Sequence, residues 1–137
     1  MDRVTGGYDC SDRDPKAALQ AYKDFSTLLE KFPESRYADD ARQRMRFILE
    51  AQAVHEIKVA RHYLKIEAYV AALNRTKYVI EHYQRTPAIE DALGLQATIY
   101  ATIGMPELAE DSLRVLELNF PESRYIKRVN KLMSGTN

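Results

Sequence analysis

Apolar residues recur at steps of three and four along almost the whole chain, the spacing of one face of an α-helix. Leu19, Tyr22, Phe25, Leu28, Leu29 and Phe32 form the first such stripe. Asp14-Pro15 ahead of it is a helix start, an acidic cap followed by proline where the missing N–H is not needed. Pro33 ends this helix, and Ser35 is placed to cap the next. Between Glu34 and Gln84 there is neither Gly nor Pro. Ala41, Met45, Ile48, Leu49, Ala53, Ile57, Ala60 and Leu64 hold one face through that stretch, which predicts one long helix from Ser35 to about Ile66. The alternative is two helices broken near Gln52, closer to ordinary helix lengths. After a bend near Glu67, helices are expected from Ala68 to Tyr83 and from near Pro87 to Gly104, a left-handed cap. Two more should follow, Pro106 to Asn119 and Glu122 to Leu132. Residues 1–14 read as an irregular lead and 134–137 as a disordered tail.

The stripes carry a ladder of equivalent positions. Ala21, Ala72 and Ala109 each lie eleven residues before a ring, Phe32, Tyr83 and Phe120, and each ring lies nine before Ala41, Ala92 or Val129. Phe-Pro-Glu-Ser-Arg-Tyr occurs twice, at 32–37 and 120–125. A recurring unit of this size means a helical repeat array. Its steps are uneven, 51 residues and then 37. The difference is about four turns, or ~21 Å of helix, which supports the single long helix.

The third copy places Leu93, Ala97, Tyr100, Gly104, Ala109, Leu113 and Pro121 where the 34-residue tetratricopeptide pattern wants its large, small, aromatic, Gly, Ala, bulky and Pro residues. Small side chains at Ala97 and Ala109 let two antiparallel helices approach, and Tyr100 and Leu113 fill the gaps beside them. The second copy is looser: Ala60, Tyr63 and Ala72 fit, but Glu67 replaces the turn glycine and Gln84 the final proline. The first copy holds only Ala21, Phe25 and Pro33. The expectation is therefore an all-α, α-α solenoid of tetratricopeptide (TPR) helical hairpins. It would span residues 15–133 as about two and a half repeats, entered in mid-repeat and cut from a longer protein.

Composition narrows the function. The chain is 45% apolar and 29% charged, as in a folded helical protein rather than a disordered one. Twenty basic and twenty acidic residues cancel, so no net field draws it to nucleic acid or anionic lipid, which leaves room only for a local patch. No apolar run approaches the ~18 residues of a bilayer span, and the first seven residues lack the apolar core of a signal peptide. The single cysteine, Cys10, excludes an internal disulfide. Gly7-Tyr8-Asp9 before it lacks the apolar lead of a lipid-attachment site, and Asp9 and Asp12 oppose a thiolate nucleophile.

His55-Glu56 matches the start of a zinc-protease helix motif, but Val59 stands where the second histidine belongs. His55 and His62 lie two turns apart on one face without an evident third ligand, and His82 lies elsewhere. Arg42, Arg44 and Arg46 spread around their helix opposite Asp39, Asp40 and Glu50, which reads as a salt-bridged surface. Tyr63, Tyr69, Tyr78 and Tyr100 suit an interface, or fill gaps between repeats. No catalytic constellation, cofactor site or metal site emerges, so the expected role is binding.

Longer strings resemble one family. Ser11-Asp12-Arg13-Asp14-Pro15 before an Ala-rich helix is similar to the BamD (ComL) family. So are the runs Phe32 to Arg42, Val59 to Lys65, Ala68 to Arg75 and Thr86 to Leu93, covering roughly residues 11 to 121. The resemblance implies a TPR lipoprotein at the periplasmic face of the bacterial outer membrane. It also implies a part in the β-barrel assembly machinery (BAM complex) and in the assembly and insertion of β-barrel proteins. Its partners would be the POTRA domains of BamA, other BAM lipoproteins and, in the full-length parent, unfolded outer-membrane proteins. This chain would be the C-terminal half, touching the membrane only through a lipid anchor absent from it.

Within that resemblance the arginine following the Val-Ala-x-x-Asn-type string is a BamA contact, which implies Arg75 here, with Asn74, Lys65 and Tyr78 as neighbours. An intramolecular pair of Arg75 with Glu90 or Asp91 is the competing reading. Where the family has Gly, this chain has Glu67. Two other functions stay open: another TPR adaptor of the cell envelope, for example one coordinating cell-wall synthesis with division, and a metal-dependent enzyme domain using His55 and His62.

Overall fold

The computed structural model describes residues 15–135. The irregular lead, the Asp14 cap and Cys10 lie outside them, as do the last two residues of the tail. The described residues form six helices in order: α1 (Pro15–Lys31), α2 (Ala38–Lys65), α3 (Tyr69–His82), α4 (Ala88–Thr102), α5 (Pro106–Asn119) and α6 (Arg124–Met133). No described residue is in a strand.

The fold divides into two compact units, with the boundary inside α2 between His55 and Glu56. In the first, the middle of the α1 stripe (Tyr22, Phe25, Leu28 and Leu29) is half-buried, while its ends, Leu19 and Phe32, are exposed. Pro33 stops α1 as expected. Ser35 lies further from the next helix than its sequence position suggested: residues 33–37 form a turn in which the Ser35 side chain accepts a hydrogen bond from the Tyr37 amide, and α2 begins at Ala38. Helix α2 then runs unbroken for 28 residues, so there is no interruption at Gln52. Arg42 pairs with Asp39 and Arg44 with Asp40, the salt-bridged surface that the spacing predicted.

The second unit is built around α4, which packs against α3, α5 and α6. Seven of its fifteen residues are buried, among them Ala92, Ala97 and Ile99 at 0% exposure. Ala72 and Ala109 on the flanking helices are equally buried. Small side chains at these crossings allow close helix approach, and Leu93, Ile99, Leu113 and Leu116 fill the remaining volume. Tyr63, Tyr69 and Tyr100 pack on the Ala72–Leu73–Ile99 cluster, so three of the four singled-out tyrosines are gap fillers.

The two helix-to-helix turns at 67 and 104 share one geometry. Gly104 has φ +82°, Met105 N–H donates to the Tyr100 carbonyl (2.8 Å) and Gly104 N–H to that of Ala101 (3.4 Å). Glu67 has φ +62°, Ala68 N–H donates to Tyr63 (2.8 Å) and Glu67 N–H to Leu64 (3.0 Å). Both are Schellman caps with a left-handed residue at the pivot. Glutamate thus adopts the glycine conformation, at a cost of about 1 kcal/mol from its Cβ, and its carboxylate accepts a long hydrogen bond from the Tyr69 hydroxyl, 3.4 Å.

Candidate functional site

Asn74, Arg75 and Tyr78 share the outer face of α3, at steps of one, three and four. Asn74 is exposed, and Tyr78 is 44% exposed, its ring tilted 54° to that of His82 at 4.2 Å between centres and 5.9 Å from that of Tyr83. Lys65 closes α2, is exposed, and makes no hydrogen bond or ion pair with the other three. Three of the four expected residues thus lie on one helix, α3, and Lys65 lies at the end of another, α2.

Arg75 is engaged, but by neither acid weighed from sequence. Its Nη1 donates to both carboxylate oxygens of Glu56 on α2, at 2.5 and 3.2 Å. Asp91 is occupied elsewhere. The Glu56 side chain is 12% exposed and that of Arg75 41%, so the carboxylate lies beneath and the guanidinium on top. The hydrogen bond to Glu56 holds the Arg75 pKa above its ordinary value against the opposing effect of desolvation. A guanidinium has five N–H donors; Glu56 takes one nitrogen and the Tyr63 hydroxyl also lies beside the group, so the exposed edge that remains can still meet a second carboxylate.

Tyr83 completes the aromatic floor. Burial, together with the nearby Tyr78 hydroxyl and Glu56 carboxylate, pushes its pKa up to about 12. The folded value exceeds that of the unfolded chain, so stability from this group is complete below about pH 10 and is lost as the pH rises through about 12. Thermal melts between about pH 9 and about pH 11.5 should show a falling midpoint, with a shallower fall in Tyr83→Phe.

A second polar cluster locks α6 in place and was not singled out from sequence. The Tyr125 hydroxyl donates to Asp91 Oδ1 (2.8 Å), while Arg61 Nη2 donates to the Tyr125 oxygen (2.7 Å) and to Asp91 Oδ1 (3.1 Å). Burial raises the Tyr125 pKa, with the Asp91 hydrogen bond acting in the same direction. The ring lies over Gly94 so closely that a Cβ built there would overlap its carbons. One signal was available, since a glycine inside a helical pattern costs about 1 kcal/mol against alanine, and close packing is one reason for it.

His55 is half-buried and His62 exposed, with the His62 ring 5.8 Å from that of Tyr63. Among the described residues, no three His, Cys, Asp or Glu side chains converge as a metal site would need.

The paired hairpins, small-residue crossings and repeated caps define a tetratricopeptide-type helical fold. Residues 2–116 match the YfiO family, described as outer membrane lipoprotein, and the chain belongs to that family. It is 46% identical over 118 residues to the outer membrane protein assembly factor BamD of Neisseria meningitidis, covering 86% of this chain and 44% of that protein. To the BamD proteins of Xylella fastidiosa and Vibrio cholerae it is 37% and 35% identical, over 91% and 81% of this chain and 43% and 46% of theirs. The chain thus spans less than half the length of these curated relatives. Among the described residues, no helix is long and apolar enough to cross a membrane.

Proposed function

We propose that this chain is a non-catalytic TPR scaffold at the periplasmic face of the bacterial outer membrane. In this reading it supports β-barrel protein assembly by binding the POTRA domains of BamA through α3. The supporting observation is Arg75, a permanently charged group anchored from beneath by Glu56 yet 41% exposed above it. Holding a long side chain before association lowers the ordering cost of binding. Tyr78 and Asn74 flank it with an aromatic surface and an amide, which suit a polar interface. The relatives' shared name, outer membrane protein assembly factor, supports the same role. Contacts with other BAM lipoproteins, and with unfolded outer-membrane proteins in a longer parent, extend this proposal.

Calorimetric titration of the chain with BamA POTRA domains tests it. Saturable binding is expected, with Tyr78→Ala and Asn74→Ala each weakening affinity several-fold, on the ~1 kcal/mol scale of ordinary interface contacts, at unchanged helical signal. Absence of binding, or full affinity in both variants, would reject the α3 site.

A further inference from the structure

Charge balance holds for the chain but fails on α6. Arg124, Lys127, Arg128 and Lys131 lie on this ten-residue helix, which contains no acidic residue, and all four are exposed. At 100° per residue their positions fall within roughly 100° of arc, a stripe ~10 Å long. The opposite side is committed inward: Tyr125 and Val129 are buried, and Ile126 and Met133 are half-buried. The Tyr125–Asp91–Arg61 cluster fixes which way the stripe faces.

Five arginines outside α6 meet carboxylates, in Arg42–Asp39, Arg44–Asp40, Arg61–Asp91, Arg75–Glu56 and Arg114–Asp111, while Arg36, Arg46 and Arg85 are scattered singly along the chain. Among the described residues, Arg124, Lys127 and Arg128 form no ion pair, and Arg128 instead lies 5.9 Å from the centre of the Tyr125 ring. With Glu122 and Ser123, the four cations line an open concavity of about 430 Å³.

We infer that this α6 stripe is a docking surface for the anionic headgroups of a phospholipid bilayer. Protein interfaces centre on apolar or aromatic anchors and are depleted in lysine. This stripe has lysine at two of its four positions and no apolar residue among them: Tyr125 and Val129 are buried inside the fold, and the one exposed apolar residue of α6, Leu132 at 43%, lies at the edge of the stripe. A headgroup layer requires only charge, about the same increment from each cation near the surface, screened over a Debye length. Membership of an outer membrane lipoprotein family places such a surface within reach. The inference does not rest on BamA binding. It concerns a helix beyond the family match, and it adds direct headgroup contact to the anchor expected from sequence.

Co-sedimentation of the chain with phosphatidylglycerol/phosphatidylcholine vesicles tests it. Partitioning onto anionic vesicles should exceed that onto pure phosphatidylcholine by about tenfold or more at low salt and disappear by about 0.5 M salt. The triple variant Arg124→Gln, Lys127→Gln, Arg128→Gln should lose most of that excess, partitioning onto anionic vesicles little better than onto pure phosphatidylcholine. The equal charge change Arg42→Gln, Arg44→Gln, Arg46→Gln on α2 should leave partitioning unchanged. Circular dichroism on both variants separates lost charge from lost fold. Equal partitioning onto both vesicle types, or equal loss in the two triple variants, would overturn the inference. So would displacement by inorganic phosphate at matched phosphate concentration, which would indicate a small-anion site. Capture of poly-glutamate without vesicle binding would assign the stripe to an acidic protein.

Discussion

Replacing Gly94 with alanine is expected to lower the unfolding midpoint by roughly 10 °C. Inside a helix this exchange ordinarily stabilises by about 0.5–1 kcal/mol. Here the new methyl meets Cγ of Tyr125, the end of the ring nearest the backbone, which a small rotation does not move away. The ring cannot leave cheaply, because Tyr125 is 7% exposed and its hydroxyl is bonded to Asp91 and Arg61. Overpacking of this kind costs about 1–3 kcal/mol and more where the neighbour is fixed. A net loss near 2 kcal/mol, at about 4–8 °C per kcal/mol for a unit of this size, gives the figure. Thermal circular dichroism measures it. In a Tyr125→Ala background the added methyl should become neutral or stabilising, the coupling expected of two groups in contact. A wild-type background that tolerates Gly94→Ala would mean that α6 is not held by this packing.

Arg75→Glu carries the second large effect, about 2 kcal/mol of lost stability. The substitution removes the partner of a carboxylate that is 12% exposed and sets a second carboxylate beside it. Breaking a fully buried pair costs about 3–5 kcal/mol, and the 41% exposure of Arg75 calls for a discount from that range. Urea titration should show the midpoint falling, and Glu56→Gln in the same chain should recover most of it. This sharpens the reading of α3. Helical content alone does not certify the variant, because the same substitution disturbs both the fold and the proposed contact. A full-strength midpoint would show that Glu56 does not depend on Arg75.

Much of this architecture was legible along the chain. The absence of Gly and Pro from 34 to 84, together with the 51- and 37-residue steps, predicted the unbroken α2. The tetratricopeptide positions Ala97, Ala109 and Leu113 are buried to 0, 0 and 3% exposure. What failed had a physical reason in each case. The bend at Glu67 was legible from its place in the repeat, 37 residues before Gly104, but not that a glutamate would hold φ +62° there, since its Cβ disfavours that conformation. Arg75 was weighed against Glu90 and Asp91, yet its partner lies 19 residues earlier on another helix, and periodicity cannot choose among acids across helices. The duplicated string shows the same limit: its two tyrosines, Tyr37 and Tyr125, are 58% and 7% exposed. Identical local sequence does not report that Gly94 leaves a slot for only one of them.

The charge swap Glu56→Arg with Arg75→Glu tests the central claim most directly. It restores an ion pair between α2 and α3, so the urea midpoint should return toward wild type from that of Arg75→Glu alone. It also removes the exposed guanidinium from α3 and puts an arginine at the deeper position, less able to reach a partner. Calorimetric titration with BamA POTRA domains is then expected to show binding lost although stability is regained. Binding at wild-type strength by the swapped chain would contradict the account, since Arg75 would then be only half of a structural pair.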